Sequence, residues 1–405
     1  MSLIFPAIKD HLVTVSWCLA LLLPSTTAVG QSRRCEVDRY YQDKVDTWAK
    51  RTNPVLHLQP RAVTNLPVVV HVVWSELNEN IPRSEVEKQI DRLNLEFNNP
   101  HTGRKSVPEE FRSAIGNPAI RFCLASKDPD GNPHPGVINR QTSIRHIGSV
   151  KDASGKYIIH SPMGSPAWDP TRFINIWVGK MENVFGRSTI GGTIYPAEED
   201  GLVIDPSQFG VDYSRNLIGR TLVHEMGHYL GLQHLWGSRT GECTEEDGIA
   251  DTPVQDGPYF GCPVYPQRSC GNNNMFMNFM DFADDLCMDL FTKDQVTRMH
   301  QTLATYRGGL LIPGGDCQAS TGNLMLPQLK YYYNTSKRTI TLQANSIPES
   351  AVYIRISNIL GQELYTGTWD MVSIAELSTQ SWVTGIYLIN LRYNEERRTI
   401  KLFIP

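Results

Sequence analysis

Several absences limit the kinds of protein that this 405-residue sequence can encode. Charged residues make up 20% of it, the net charge is −4, and there is no basic stripe or block of like charge, which argues against nucleic-acid binding. After the first 30 residues, no apolar run approaches the roughly 20 residues that a membrane-spanning helix needs. We find no internal repeat and no low-complexity segment. The sequence therefore predicts a soluble globular protein with two or three domains.

The first 30 residues differ from the rest. Lys9 precedes an apolar run from Leu12 to Leu23, and small residues follow at Ala28 and Gly30. A positive charge, a short apolar run and small residues are typical of a secretory signal peptide. We predict a signal peptide over residues 1–30, cut near Gly30. A buried N-terminal strand or helix is the alternative.

Of the eight cysteines, one lies in this segment, and the other seven are Cys35, Cys123, Cys243, Cys262, Cys270, Cys287 and Cys317. Four of these fall between positions 243 and 287, in a stretch rich in glycine, proline and asparagine. Loops of this kind in an oxidising compartment are usually stabilised by disulfides, so we predict two disulfides there. A second zinc site with four cysteine ligands is less favoured, because the sequence contains no CxxC pair.

The strongest chemical signal is the run HEMGHYLGLQH at residues 224–234. His224 and His228 are four residues apart, so on a helix both rings leave the same face and can bind one Zn²⁺. Glu225 is poorly aligned as a ligand and can act as a general base on metal-bound water. Gly231 permits the positive φ that ends a helix, and the turn lets His234 reach back as third ligand. Three protein ligands leave one position open, as in catalytic zinc sites. A buried amphipathic helix with incidental histidines is the alternative.

The apolar patterns predict two structural regions. Leu66–Trp74 and Phe173–Val178 read as buried strands, a capping box at Ser84 opens a helix, and Thr292–Leu303 is a final helix. This order predicts a mixed α and β region that contains the zinc helix. From about Leu326 onward, short alternating β-branched runs predict a small all-β sandwich, with the domain boundary near residue 320.

The residue 224–234 run resembles the metzincin clan of zinc peptidases, which also carries a methionine in a tight turn beneath the metal. Met280 is the best match to that methionine. The strings that begin at Phe122, Gly231, Asp251 and Asn278 make the chain specifically similar to the pappalysin family, above all its cytophagalysin-like bacterial members. The resemblance covers roughly residues 62–317. It implies an α+β, two-lobed catalytic domain, with a twisted sheet and a zinc helix, over residues 62–319.

The same resemblance implies two disulfides and a second metal. The implied pairs are Cys243–Cys270 and Cys262–Cys287. Structural Ca²⁺ is expected in the loops after His234, because hard Ca²⁺ prefers oxygen donors. The local donors are Glu242, Asp247, Asp251 and Thr252. A solvated acidic loop is the alternative.

Two departures from the family affect the expected chemistry. Characterised relatives carry tyrosine where this chain has Phe282, so a phenol that assists the transition state is missing. Arginine-preferring relatives carry aspartate where this chain has Leu286, although Asp284 and Asp285 lie nearby. A preference for arginine is therefore not predicted.

The C-terminal domain, predicted over residues 320–405, resembles the sorting domains of proteins exported by the Gram-negative type IX system. The likeness is carried by strings that begin at Asn358, Thr384 and Thr399, while Ile404-Pro405 extends past the usual basic-apolar ending. It implies export through the periplasm and contact with outer-membrane secretion machinery. A sandwich that binds carbohydrate or protein is the alternative.

Together these patterns predict a secreted zinc endopeptidase that uses Glu225 to assist the attack of zinc-bound water on protein or peptide substrates. A catalytically weak or inactive binding protein with the metzincin fold is the main alternative, and a zinc amidase is another. We expect the substrate to pair with an edge strand at Gly191–Tyr195. The sequence does not predict the natural substrate or the oligomeric state.

We also predict that the enzyme is made as a latent zymogen. Residues 31–61 form the predicted pro-segment, and Cys35 within it could cap the zinc, because a thiolate is a strong fourth ligand. Cys123 and Cys317 would then pair. A disulfide between Cys35 and either of them is the competing arrangement. Cleavage after Arg51 or Arg61 would release the segment.

Overall fold

The apolar run at residues 66–74 lies within the longest strand of a seven-stranded sheet. Its buried valines occupy both faces of the strand, as expected where a parallel strand is covered on both sides. The strand pairs in parallel with three others of the sheet. The strands are β1 (Arg33–Glu36), β2 (Thr64–Trp74), β3 (Ile120–Leu124), β4 (Val137–Gln141), β5 (Ile174–Val178), β6 (Val184–Ser188) and β7 (Leu202–Ile204).

The computed structural model describes residues 33–36, 64–98, 107–191, 195–311, 329–344, 352–369, 374–393 and 396–404. The predicted signal peptide, most of the pro-segment and both predicted boundaries of the catalytic domain lie outside these ranges. Within them, no helix combines the length and the apolar character that crossing a bilayer requires.

At one edge of the sheet, the edge strand β1 lies next to β6. The order is β1-β6-β7-β5-β2-β3, and β4 also pairs with β2. β6 runs antiparallel to β7 and parallel to β1. The strand from the predicted pro-segment therefore occupies the side of β6 that faces away from the rest of the sheet.

Among the residues that the structure describes, four α-helices accompany this sheet. The first carries its apolar side chains at helical spacing, and Phe97 packs edge-on against Phe122 of β3 with ring centroids 5.1 Å apart. The last begins with a capping box, in which the Thr292 hydroxyl accepts a hydrogen bond from the Gln295 amide. The helices are α1 (Arg83–Asn98), α2 (Glu109–Arg112), α3 (Arg220–Tyr229) and α4 (Lys293–Tyr306).

The C-terminal strands form two antiparallel sheets around a separate apolar core. Ile340 and Leu342 from one sheet pack with Ile354 and Ile389 from the other, as predicted for a small sandwich. The three-stranded sheet contains β10 (Leu329–Asn334), β11 (Thr339–Ala344) and β14 (Ile374–Ser378). The four-stranded sheet contains β13 (Glu363–Trp369), β12 (Val352–Asn358), β15 (Gly385–Tyr393) and β16 (Glu396–Ile404), in that order. A small hairpin, β8 (Arg268–Ser269) and β9 (Asn272–Asn273), lies within the catalytic domain, between α3 and α4 in sequence.

Candidate metal centre and active site

Three histidine rings converge at the end of α3. The Nε2 atom of His228 lies 3.1 Å from Nε2 of His224 and 3.1 Å from Nε2 of His234. All three residues are buried. The helix ends before Gly231, whose φ of +92° provides the predicted turn that returns His234 toward the helix. The structure thus brings together the three histidines that the spacing singled out.

Backbone carbonyls orient two of these rings. The Nδ1 atom of His224 lies 2.6 Å from the Phe279 carbonyl oxygen, and Nδ1 of His228 lies 2.8 Å from that of Leu232. Because a carbonyl can only accept, each Nδ1 carries the proton and each Nε2 keeps its lone pair. Burial lowers the pKa of His228 to about 4, so its imidazole is neutral near pH 7. Neutral imidazoles with converging lone pairs suit a divalent metal.

Glu225 lies beside the histidines and is completely buried. Burial raises its pKa to about 8, while a hydrogen bond from Cys35 and the charge of Arg187 act in the opposite direction. Its Oε1 atom has no hydrogen-bond partner among the described residues. β6 approaches closely here, because a Cβ atom at Gly186 would lie only 2.5 Å from Oε1. The close approach of β6 therefore restricts where the carboxyl group can lie, and the raised pKa makes its carboxylate form a stronger base than an exposed glutamate.

The thiol of Cys35 reaches the same point. Its Sγ atom donates to Glu225 Oε2 at 3.5 Å, and Sγ and the histidine nitrogens all lie within 4.8 Å of one another. β1 pairs with β6 so that Cys35 is opposite Gly186. Cys35 is not in a disulfide. The competing arrangement, in which Cys35 pairs with another cysteine, is therefore not found.

The other cysteines follow the implied pattern where the structure describes them. Cys243 is bonded to Cys270, and Cys262 to Cys287, with Cα–Cα distances of 5.4 and 5.6 Å. Cys123 is also in a disulfide, and its predicted partner, Cys317, lies outside the described residues.

A buried methionine packs against the zinc-motif helix, α3. Met280 is buried, and a Cβ atom at Gly227 would lie 2.5 Å from its Sδ atom. The preceding residue, Phe279, provides the carbonyl that orients His224. Sequence reasoning singled out Met280 but missed Gly227. The available signal was a glycine inside a helix, between two histidines. Glycine destabilises a helix interior, so its presence there indicates that another group packs closely against that position.

Aromatic rings form a wall on the His234 side of the site. Trp236 stacks on His234 with centroids 4.6 Å apart, and Phe282 meets His234 edge-on at 4.9 Å. Phe282, where the resemblance to the family implies tyrosine, is thus next to the metal site. Trp236 is a contact that the sequence analysis did not assign.

The acidic residues near Leu286 have different surroundings. Asp285 is buried and accepts hydrogen bonds from the backbone amides of Ile218 and Arg220. These bonds stabilise the N-terminus of α3. The Leu286 side chain is 51% exposed. Asp285 is therefore engaged in the protein's own structure and is not available to bind an arginine side chain of a substrate.

The predicted calcium ligands do not form one cluster. The Thr252 hydroxyl donates to Asp247 at 2.9 Å, whereas Asp251 accepts from the Asp294 amide at the start of α4, and Glu242 is exposed. In the part of the chain that the structure describes, the histidine–cysteine group is the only set of three or more such ligands around one point. Calcium stays a prediction.

The predicted substrate strand is described only at its ends. Gly191 and Tyr195 are not in a strand, and residues 192–194 lie outside the described ranges. The strand that lies against Glu225 is β6, whose Gly186 makes the close approach. β6 is therefore the better candidate for an edge that meets a substrate.

Comparison with known proteins identifies both domains. Residues 159–304 match the sequence model of peptidase family M43, described as pregnancy-associated plasma protein-A. Residues 330–405 match the secretion system C-terminal sorting domain. An extracellular metalloprotease of Arthroderma otae is 42% identical over 301 residues, which span 72% of this chain and 99% of the relative. One from Arthroderma benhamiae is 42% identical over 243 residues, 59% of this chain and 78% of the relative.

Two solved structures agree with this assignment. Mature mirolysin of Tannerella forsythia, in complex with a cleaved peptide, is 34% identical, with a TM-score of 0.54, and the match covers 63% of this chain and all of that one. A promirolysin mutant is 33% identical, with a TM-score of 0.59 and coverage of 69% and 97%. They confirm the metzincin-like catalytic fold. The sorting domain and the extracellular relatives indicate a protein that is secreted or held at the cell surface. The chain therefore belongs to the pappalysin family of metalloproteases.

Proposed function

We propose that this protein is a zinc-dependent endopeptidase in which His224, His228 and His234 hold one Zn²⁺. The observation that carries the proposal is the convergence of three buried imidazoles, with successive Nε2 atoms 3.1 Å apart. Packed this closely, neutral nitrogen lone pairs repel one another unless a cation lies between them. Three nitrogen donors and one further position fit catalytic zinc.

When bound, Zn²⁺ acts as a Lewis acid that polarises the scissile carbonyl and makes a water molecule more acidic. Glu225 accepts a proton from the attacking water as its oxygen bonds to the carbonyl carbon. The carbon–nitrogen bond then breaks, and Glu225 returns the proton to the leaving amine. The buried position of Glu225 supports this role, because proton transfer requires a carboxyl group held at a constant place.

The alternative, an inactive binding protein, is less well supported. A binding protein has no need of a buried carboxyl group beside three converging histidines, since burying it without a charged partner is costly. Phe282, in place of the relatives' tyrosine, favours weak activity. Casein or gelatin zymography with and without a chelator, together with zinc analysis, tests the proposal. Zinc binding without a cleared band after removal of the pro-segment would support the alternative.

We further propose that Cys35 keeps the newly made enzyme latent. Its thiolate would take the fourth position on zinc, and β1 would cover the edge of β6 beside Glu225. Cleavage of the pro-segment after Arg51 or Arg61 would remove both obstacles. The existence of a promirolysin among the structural neighbours supports a proform for this family.

We also propose a structural Ca²⁺ in the loop after His234. Asp247 is the best-supported ligand, because burial raises its pKa to about 8, and a cation would compensate for burying its charge. Thr252 lies against it, while Asp251 and Glu242 would have to turn toward the ion.

Finally, we propose that the protein is exported across the periplasm of a Gram-negative bacterium and then through the outer membrane. The C-terminal sorting domain supports this route. Its substrates are proteins or peptides.

A further inference from the structure

The C-terminal sandwich exposes four large apolar side chains on neighbouring segments. Ile359 is 66% exposed, Leu360 87%, Val383 76% and Phe403 59%. Ile359 and Leu360 form the turn between β12 and β13, Val383 comes just before β15, and Phe403 is near the end of β16.

The strand register brings these segments to one end of the four-stranded sheet. Asn358, which precedes the β12–β13 turn, pairs with Tyr387 near the start of β15. On the other side of β15, Ile386 pairs with Phe403. We call the four side chains Ile359, Leu360, Val383 and Phe403 the apolar end.

Hydrogen bonds hold this end in a defined shape. The Asn358 side-chain oxygen accepts from the amides of Leu360 and Gln362, and Gly361 adopts a φ of +81° that closes the turn. The Tyr387 hydroxyl donates to the Val383 carbonyl at 2.6 Å. The apolar side chains are therefore presented by ordered turns, so a partner would bind them with little further loss of conformational entropy.

Next to the apolar end, β16 presents the exposed cationic side chain of Lys401. Lys401 lies two residues from Phe403, on the same face of β16, whereas Arg397 pairs with Arg392 at the opposite end of the strand. A partner that matches this surface needs an apolar groove, and an acidic side chain at its border would pair with Lys401. Because residues 330–405 match a secretion sorting domain, the partner of that chemistry is a component of the export machinery.

We propose that the apolar end, with Lys401 beside it on β16, is the surface through which the sorting domain docks into an apolar groove of an outer-membrane secretion component. The proposal rests on the export route proposed above. Neither the identity of a sorting domain nor the enzyme's activity specifies which face is recognised.

The test uses the full chain, produced in a bacterium that has this secretion system. The variant is Ile359→Ser/Leu360→Ser. Tyr353→Ser is the matched control, because Tyr353 is 51% exposed and lies at the other end of β12. The exported fraction is measured by immunoblot of medium and periplasm, and the melting temperature of each purified chain reports its folding. We expect export to fall about tenfold or more in the variant, with unchanged melting temperature, and to stay normal in the control.

Two further variants distinguish failure of the proposed export route from failure of the proposed docking surface. If a chain that lacks residues 330–405 is still exported, the proposed route itself fails. If that deletion stops export but Ile359→Ser/Leu360→Ser is exported normally, the apolar end is not the docking surface. Should the double variant melt at a lower temperature, Leu360→Ser alone decides the matter in the same way. Analytical ultracentrifugation tests whether a second copy of the chain occupies the apolar end. If the unaltered chain is a dimer and the variant is a monomer that is still exported, the proposal is wrong.

Discussion

At the scale of single residues, Glu225 is the group on which the proposed chemistry depends most directly. In Glu225→Gln the side chain keeps its size but cannot take a proton from water. We expect the activity of the processed enzyme on casein to fall about 10²–10⁴-fold, while zinc remains near one per chain, because the histidines are intact. Glu182→Gln, on an exposed residue, is the control and should be fully active. Near-normal cleavage by Glu225→Gln would show that another group is the base.

The second residue-scale prediction concerns Cys35. Cys35→Ser replaces a soft thiolate ligand with a hydroxyl that binds zinc far more weakly at neutral pH. We expect the freshly purified variant to cleave casein without prior processing and to degrade itself, unlike the unaltered chain. The double variant Cys35→Ser/Glu225→Gln should stay intact, which would attribute the degradation to the enzyme itself. A variant as latent as the unaltered chain would rule out capping by the thiol.

Individual residues differ in how far they could be predicted. The three histidines, Glu225 and Gly231 lie within eleven consecutive positions, so helix geometry alone relates them to one another. Gly186 and Gly227 could not be assigned in this way. Each is small because a side chain from elsewhere in the sequence, Glu225 or Met280, fills the adjacent space. Such a requirement arises only from tertiary packing.

At the scale of elements, the close approach of β6 to α3 gives a prediction. In Gly186→Ala the added methyl group would lie 2.5 Å from Glu225 Oε1, so the carboxyl group or the strand must move. We expect kcat to fall, by up to about 10²-fold for a displacement near 1 Å, with unchanged zinc content. Gly308→Ala is the control, because a Cβ atom there contacts nothing within 4 Å. Unchanged kcat would mean that Glu225 has more freedom than its burial indicates.

A second element-scale prediction concerns β2 and β5. His71 of β2 is buried between Ser165 and Asn175 and stacks on Trp177 of β5. Burial lowers its pKa to about 4, below the value near 6.5 expected in the unfolded chain. The unfolded state therefore binds more protons between these values. His71 should cause the free energy of unfolding to fall as the pH drops from 6.5 toward 4, by about 1.4 kcal/mol per pH unit at most.

Urea unfolding of the zinc-loaded protein at pH 7 and pH 5 measures this slope. His71→Gln removes the titrating group, so its stability should depend less on pH even though its absolute stability is lower. An equal slope in both proteins would assign the acid sensitivity to other groups, such as His160, whose pKa burial also lowers.

The elements that could be predicted are those with a strong local pattern. The β-branched run of β2, the helical spacing in α1 and the capping box of α4 each appear within about one element's length of sequence. The pairing of β1 with β6 could not be predicted. Arg33–Glu36 has no alternation of its own, and it becomes a strand because the edge of β6 supplies its hydrogen-bond partners.

At the scale of the whole molecule, calcium gives a test of stability. If Ca²⁺ binds the loop after His234, its selective removal from the zinc-loaded enzyme should lower the melting temperature and expose that loop to proteolysis. Binding at 100 times the dissociation constant would contribute about 2.7 kcal/mol. Calorimetry and limited proteolysis with and without a calcium-selective chelator measure both effects. Identical melting temperatures with and without the chelator would show that the protein has no structural Ca²⁺.

The short strand β1 has a consequence for when and where the enzyme can work. If Cys35 caps the metal as proposed, its covalent link to the uncut chain would keep it near the site at an effective concentration in the millimolar range. After the proposed cleavage, the released pro-segment would be an ordinary peptide inhibitor, and the fraction of enzyme that it occupies would depend on the surrounding volume. In a confined periplasm it could rebind, whereas outside the cell it would diffuse away. Dilution on export would then complete activation, and the change of compartment would be the last step of the proposed maturation.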